Sequence, residues 1–212
     1  MDNWTDAIPD HHMPDFQAVR AVWQEMRPGD GIPARADLNP MDLGCALPIC
    51  FLTERMAGHG GRFRLVGRAL NNAYDMDLRS IPLPALVAAP LQKNLAANID
   101  SVFEQGKLLF AKYGTKDSAP DRSLLLQPLQ DGQGRTTLAL GIAAGFSHGA
   151  SLGELTVQHQ CGLLPLSHQM ALPQKTAPSN VVPFSGDRSQ WAAAQNEKGA
   201  HQSARPKLHV VP

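Results

Sequence analysis

The sequence predicts an α+β domain: one five-stranded, mostly antiparallel sheet with helices packed on one side and an additional N-terminal helix. Three observations lead to this prediction. An apolar stripe at helical spacing lies near the N-terminus, and a second one lies in the middle of the chain. Five runs of alternating or continuous apolar residues, bounded by Gly-containing or polar turns, are typical of strands. Their order is helix, two strands, helices, three strands.

The N-terminal helix is predicted at residues 15–27. Its apolar residues recur every three or four positions: Phe16, Val19, Val22, Trp23 and Met26. Asp15 is suited to cap the start, and Pro28-Gly29 ends the helical pattern. After a proline-rich loop, Asn39-Pro40 predicts the start of a short helix, because proline suits the first helical position.

The strands follow in two groups. Residues 49–54 and 62–65 flank a turn at residues 58–61 and predict a hairpin. A helix starting at Pro90 and ending at Gly106 separates this hairpin from three strands at 107–113, 122–130 and 135–146. In the last strand one face carries Ala and Gly, and we expect the N-terminal helix to lie on this small-residue face.

The domain boundaries are predicted from composition. Residues 1–13 are a flexible leader and residues 14–150 form the domain. Residues 151–212 are a linker and a largely disordered tail. From residue 165 onward the chain is rich in Pro, Gln, Ser and Ala, which bury too little apolar surface to offset the entropy of ordering.

Charge and composition exclude several functions. Lys plus Arg and Asp plus Glu both number 19, so no net positive field attracts nucleic acid. No apolar run reaches the roughly 18 residues of a membrane span, and the polar, acidic start does not resemble a secretory signal. Three cysteines leave one unpaired, which favours a reducing compartment. We therefore expect a cytoplasmic protein with no nucleic-acid or membrane partner.

Three motifs in order resemble one known family. A Trp-bearing helix is followed by a Pro-x-Arg-x-Asp-x-x-Pro loop, then by Arg-Leu-Val-Gly, then by Leu-x-Pro-Leu before an Asp-Gly turn. The matching residues are Trp23; Pro33, Arg35, Asp37 and Pro40; Arg64, Leu65, Val66 and Gly67; and Leu126, Pro128, Leu129, Asp131 and Gly132. Over residues 16–146 the chain resembles the small stand-alone PAS-like proteins of alphaproteobacteria.

One turn departs from that family. Its members usually carry Gly-Arg-Asp-Leu-Thr-Gly after the first middle helix, whereas this chain has Asp75, Met76, Asp77, Leu78, Arg79 and Ser80. Both glycines are missing, which leaves open a different backbone in this turn. Because the turn borders the usual PAS pocket, the shape of that pocket is not carried over.

The resemblance implies a non-catalytic sensory or regulatory module in signalling, acting by binding a small ligand, a protein partner or both. One cavity is predicted to be lined by Phe51, Leu65, Tyr74, Ile99, Phe103 and Leu138. The alternative is that these residues simply fill the core, since protein interiors close-pack. No cofactor is predicted: residues 90–105 contain no His for haem, and the Asn-Cys-Arg-Phe stretch of flavin photosensors is absent. An unknown small organic ligand stays open.

Four motif residues are singled out as anchors: Trp23, Arg35, Asp37 and Gly67. For Arg35 and Asp37 the functional alternative is a polar contact to a ligand or partner. The structural alternative, which we favour, is that Arg35 ties the long loop to backbone carbonyls or to a carboxylate. For the helix of residues 15–27 two packing modes are open. It covers the sheet of its own chain, or it forms a homodimer through Trp23, Phe16 and Met26.

Two further functions compete with the regulator. Gly145-Phe146-Ser147-His148-Gly149 matches the nucleophile elbow of serine hydrolases, with Ser147 as nucleophile, but the residues after it offer no further strand–helix units to complete a triad. A ligand-free structural adaptor is the third hypothesis. No metal site is predicted, because the Cys and His spacings do not match structural zinc.

Overall fold

The computed structural model describes residue 8, residues 11–115 and residues 122–167. Within these residues the α-helices are α1 (Met13–Glu25), α2 (Arg68–Tyr74) and α3 (Ala89–Gln105). Short 3-10 segments occupy Arg35–Asp37, Pro40–Ile49 and Leu83–Leu86. The strands are β1 (Cys50–Arg55), β2 (Gly61–Val66), β3 (Leu108–Gly114), β4 (Arg122–Gln130), β5 (Thr136–Ala144) and β6 (Val157–Leu164).

All strands belong to one antiparallel sheet in the order β2-β1-β5-β4-β3-β6. The predicted α+β class is confirmed, but the described part of the chain forms six strands where five were predicted. The additional strand, β6, pairs with β3 along its whole length, from Leu108 opposite Leu164 to Gly114 opposite Val157. It lies in the segment predicted as linker. Its sequence alternates weakly because it is a half-buried edge strand containing three polar residues among its first four.

The sheet carries an apolar core on each face. One core packs under α2 and α3, and the other packs under α1 and the segment Pro40–Ile49. Strand β5 contributes to both: Ala139 and Ala143 face α3, while Leu138, Leu140 and Ile142 face α1. We call these the α3-side core and the α1-side core.

The expected position of α1 is therefore wrong. Helix α1 packs on the large apolar side chains of β5, and the small-residue face is filled by the Phe51 ring from β1. A Cβ atom added to Gly141 would lie 2.1 Å from that ring. The glycine in β5 thus makes room for a side chain of the neighbouring strand and not for a helix backbone.

Helix α1 starts at Met13, two residues before the predicted start, and it is fixed firmly to the sheet. Phe16, Val19 and Trp23 are fully buried in the α1-side core. The Trp23 indole N–H donates to the Pro128 carbonyl in β4 at 2.8 Å. Arg20 is buried as well and donates to the Gln127 side chain at 3.2 Å. Burial and the neighbouring charge of Arg27 lower the pKa of Arg20 to about 10.

Several predicted helix ends are confirmed. The Asn39 side chain accepts a hydrogen bond from the Met41 amide at 3.2 Å, as an N-cap does. Gly106, with φ of 60°, adopts the left-handed conformation that ends α3.

The turn of residues 75–80, which lacks the two glycines of the related sequences, has positive φ angles at both of those positions. Asp75 and Ser80 stand at the two glycine positions, with φ of 50° and 68°. They are the only non-glycine residues with positive φ in the described part of the chain. The chain therefore keeps, at both positions, a conformation that glycine adopts with less strain.

The remaining domain predictions fall partly outside the described residues. Most of the leader and the predicted disordered tail from residue 168 onward lie there. Within the described residues, none of the helices has the length and apolar character that crossing a bilayer requires.

Candidate functional site

The α3-side interior, where four of the six predicted pocket residues lie, is filled. Phe51, Tyr74, Ile99 and Phe103 are all buried in the α3-side core. The void left near them, between Tyr113, Arg122 and Phe146 among others, measures about 10 Å³. Such a volume holds about one water molecule at most. These four side chains therefore act as core residues in this conformation.

A polar group closes one end of that interior. Arg122 and Glu154 form an ion pair, with 3.6 Å between nitrogen and oxygen, and both side chains are largely buried. The nearby Tyr74 hydroxyl is buried and has no hydrogen-bond partner among the described residues. Burial, with a smaller contribution from Glu154, raises the pKa of Tyr74 well above its ordinary value. The phenol is therefore neutral at physiological pH.

A mostly apolar cavity lies on the other face of the sheet, and we call it the sheet groove. It has a volume of about 500 Å³, which is in the range of ligand sites in proteins. Its floor comes from β1, β2 and β5, and its wall comes from the segment Pro40–Ile49. The lining residues that carry the argument below are Arg35, Leu47, Leu52, Leu65, Arg68 and Leu140.

The sequence forms this groove through the placement of two covering elements. Helix α1 is bonded to β4 through Trp23, and so the β1–β2 end of the same face is left uncovered by it. The segment Pro40–Ile49 reaches this end, but it is kinked at Gly44 and returns to the sheet at Pro48. Between the wall and the strands, large apolar side chains remain exposed: Leu65 at 52% and Leu47 at 39%.

The close approach at Pro48 explains the fourth anchor residue, Gly67. A Cβ atom at position 67 would lie 2.2 Å from the Pro48 carbonyl oxygen, so only glycine fits there. The Gly67 amide donates to the Cys50 carbonyl at 2.8 Å, which fixes the start of α2 against the start of β1. Gly67 thereby closes one end of the sheet groove.

The other anchors have mainly structural contacts. Trp23 fixes α1, as described above. Arg35 donates to the Leu38 carbonyl at 3.3 Å, in line with the structural alternative. The Asp37 side chain is exposed and forms no hydrogen bond or ion pair with the described residues, although its amide donates to the Ala34 carbonyl at 3.1 Å. Arg35 also lines the sheet groove, so its structural contact does not remove it from a surface that faces solvent.

The last two predicted pocket residues do not join the first four. Leu138 is buried in the α1-side core, and Leu65 lies on the same face, opposite Leu52 in the β1–β2 pairing. The single cavity expected for all six residues is thus corrected to two environments on opposite faces. Strand alternation is the reason, because Leu65 and Leu138 point away from the face that carries Phe51.

The Ser147 motif does not form an elbow. Strand β5 precedes it, but residues 148–149 form a turn where the elbow requires a helix. Ser147 and His148 are exposed, and Ser147 has no hydrogen bond to an acid or base within the described segments. This geometry lends the hydrolase alternative no support.

The three thiols are separate from one another. Cys45 is exposed, Cys50 is buried and Cys161 is half-buried, and none forms a disulfide. Burial raises the pKa of Cys50 to about 12, so its thiol is neutral and unreactive. The described segments contain no group of three side chains suited to hold a metal ion.

Sequence reasoning missed the sheet groove, although it named Leu65 and Arg35. The available signal was the set of large apolar residues outside any periodic stripe, Met41 and Leu47, in a segment bounded by prolines. Met41 is 78% exposed.

The apolar stripe of α1 lies against the sheet of its own chain. A homodimer through that stripe therefore stays a proposal, and it requires α1 to detach from the sheet.

Comparisons with known proteins agree with the fold. A search of curated proteins finds no match. The profile of the PAS domain family matches residues 11–144, which is more than half of the chain and covers α1 and strands β1 to β5. PAS domains are in general sensory modules that mediate protein interactions. On this match, with the predicted hairpin, helical middle and three following strands present, the chain belongs to the PAS domain family.

Proposed function

We propose that this chain is a non-catalytic regulatory PAS module that delivers its output by binding a protein partner at the sheet groove. The observation that carries the proposal is the contrast between the two faces of the sheet. The void between Tyr113, Arg122 and Phe146 in the α3-side core measures about 10 Å³, whereas the sheet groove offers about 500 Å³ of mostly apolar space open to solvent. Recognition is therefore assigned to the surface and not to an internal ligand.

The exposed apolar rim favours a protein over an enclosed small molecule. Leu47 and Leu65 line the groove and stay partly exposed, and Met41 in the same wall segment is exposed as well. Contiguous apolar patches of this kind mark interaction sites on proteins, because leaving them in water costs about 25 cal/mol per Å². A small ligand lying in the groove would leave much of this rim exposed, whereas a protein segment covers it.

Site-specific photo-crosslinking tests the proposal. A photoreactive amino acid replaces Leu65 in the full chain, expressed in its own host, and Lys93 on the exposed part of α3 serves as the matched control position. We expect a discrete adduct from position 65 and none of the same mass from position 93. The captured protein, purified separately, should bind the wild-type chain and lose about tenfold or more in affinity for Leu65→Glu. Unchanged affinity for that variant contradicts the proposal.

The closed interior also favours a second candidate, a ligand-free adaptor, over a small-molecule sensor. A ligand-free adaptor and a small-molecule sensor differ in whether the purified protein retains a bound small molecule. Native mass spectrometry of the full chain from its own host should give the mass of the polypeptide alone. A retained small molecule would contradict the adaptor and would require the α3-side core to open.

A further inference from the structure

Resting on the proposed function, we infer that the partner segment bound by the sheet groove is apolar and acidic, with carboxylates that engage Arg35 and Arg68. Within the described residues, these arginines are the only charged side chains that line the groove, and no carboxylate lines it. An apolar groove with two guanidinium groups is electrostatically complementary to anionic side chains, which Arg binds in bidentate geometry.

Both guanidinium groups are accessible to a partner. The Arg68 side chain is exposed and forms no ion pair or hydrogen bond with the described residues. Arg35 uses one nitrogen for the Leu38 carbonyl and retains its other donors. Neither arginine forms an ion pair with the carboxylates of the neighbouring segments. Glu54 pairs with Arg62 at 3.0 Å and Arg64 at 3.3 Å, and Asp42 accepts a hydrogen bond from the Asn39 side chain at 3.1 Å. The exposed Asp37 carboxylate, two residues from Arg35, forms no ion pair with the described residues. Both guanidinium groups of the groove are therefore without an ion pair within the described chain.

The strand register separates the two arginines along the groove. Arg68 follows Gly67, whose amide bonds to Cys50 at the start of β1. Arg35 follows Ala34, which pairs with Gln130 of β4, and Gln130 in turn lies opposite Thr136 at the start of β5. The start of β1 lies opposite Ile142, near the end of β5. The backbones of Arg35 and Arg68 therefore lie near opposite ends of the strands that form the groove floor.

This separation decides the shape of the occupant. A small molecule with one carboxylate reaches one arginine, whereas a peptide segment with acidic residues on both sides of its apolar side chains reaches both. The apolar side chains then cover Leu52, Leu65 and Leu140 on the floor. The inferred partner is thus a short segment with large apolar residues between Asp or Glu residues.

Peptide selection tests this inference on the full chain. The probe is a phage-displayed random library of peptides of about 12 residues, a length typical of groove-binding segments. We expect the pool selected on the wild type to be enriched in Asp and Glu flanking Leu, Ile or Phe. A labelled peptide from that pool should bind about fivefold or more weakly to Arg68→Gln and at raised ionic strength.

Control variants separate this inference from the proposed function. Arg79→Gln removes an exposed arginine outside the groove, where it pairs with Asp77, and should leave binding unchanged within about twofold. A pool without acidic enrichment, or equal binding to Arg68→Gln, overturns the inference. Loss of binding in Leu65→Glu in that case would still support the groove as a docking site. Unchanged binding of the peptide to Leu65→Glu overturns both the inference and the proposed docking site. Displacement of the peptide by dodecanoate at comparable concentration indicates a fatty acid as the occupant and overturns the inference of a peptide.

Discussion

Gly67 is a family motif residue whose role is explained by space alone. Its φ of −64° is open to any residue, so backbone freedom is not the reason for glycine. The reason is the Pro48 carbonyl, which occupies the position of a side chain at residue 67. The sequence motif was visible without the structure, but its cause was not, because a contact between residues far apart in sequence leaves no local pattern.

Replacing Gly67 by alanine should destabilise the fold strongly. The added Cβ would lie 2.2 Å from the Pro48 oxygen, and since both atoms belong to the backbone, one segment must move. Overpacking typically costs about 1–3 kcal/mol, and we expect the upper end or beyond. Gly132→Ala is the matched control, because nothing lies within 4 Å of a Cβ there. Urea denaturation measures both; equal midpoints for the two variants would contradict the steric argument.

The positive φ angles at Asp75 and Ser80 predict that a glycine substitution stabilises the fold, whereas replacing Gly67 destabilises it. Ser80→Gly should raise the free energy of unfolding by about 0.5–1 kcal/mol, because glycine adopts φ of 68° without the Cβ strain of serine. Ser101→Gly is the control: this serine lies within α3, where glycine lowers stability by about 0.5–1 kcal/mol. Thermal unfolding of both variants gives the signs, and a destabilised Ser80→Gly would show that serine side-chain contacts outweigh the strain.

At the scale of elements, the family motifs contact one another. Trp23 of α1 bonds to Pro128 in β4, and the amide of Gln130, two residues further on, bonds to the Pro33 carbonyl of the loop after α1 at 2.9 Å. Pro128 has no N–H, and its carbonyl is the acceptor for Trp23. The motifs therefore fix α1 and its loop to one central strand.

Element type was predictable where local chemistry decides it. The alternation in β1 to β5, the Asn39 cap and the Gly106 end all rest on residues close in sequence. The side of the sheet chosen by α1 was not predictable, because both faces of β5 are apolar and only the Phe51 ring shows which one is occupied. Strand β6 was missed since its register depends on β3, more than 40 residues away.

Removing β6 should destabilise the domain, whereas removing the residues after it should not. A chain ending at Thr156 loses the partner of β3 and the half-buried Leu163 and Leu164. Full burial of a leucine contributes roughly 1.5–3 kcal/mol, so we expect two half-buried leucines to account for a loss of about 1.5–3 kcal/mol. A chain ending at Ser167 keeps β6 and the Leu166 carbonyl bonded to Arg20, and it serves as the control. Equal urea midpoints for the two truncations would contradict the role of β6.

At the scale of the whole molecule, the groove exists because the covering helices close one face of the sheet more completely than the other. On one face α3 and its neighbours close the interior, while on the other α1 is fixed to β4 and leaves the β1–β2 end open. The sequence predicted apolar residues for a site but not which face would stay open. That outcome depends on how far α1 and Pro40–Ile49 extend across the sheet, which no periodicity encodes.

The two cores should nevertheless unfold together, because β5 belongs to both. Leu138, Leu140 and Ile142 support α1, and Ala139 and Ala143 on the same strand support α3. In a Trp4→Phe, Trp191→Phe background, Trp23 emission reports the α1-side core, and far-UV circular dichroism reports the backbone of the sheet and of the described helices together, of which α3 is the longest. We expect coincident urea transitions, as for a two-state domain. A Trp23 transition at lower urea would mean that α1 detaches first, and it would free the Phe16–Trp23 stripe for the homodimer that the native packing excludes.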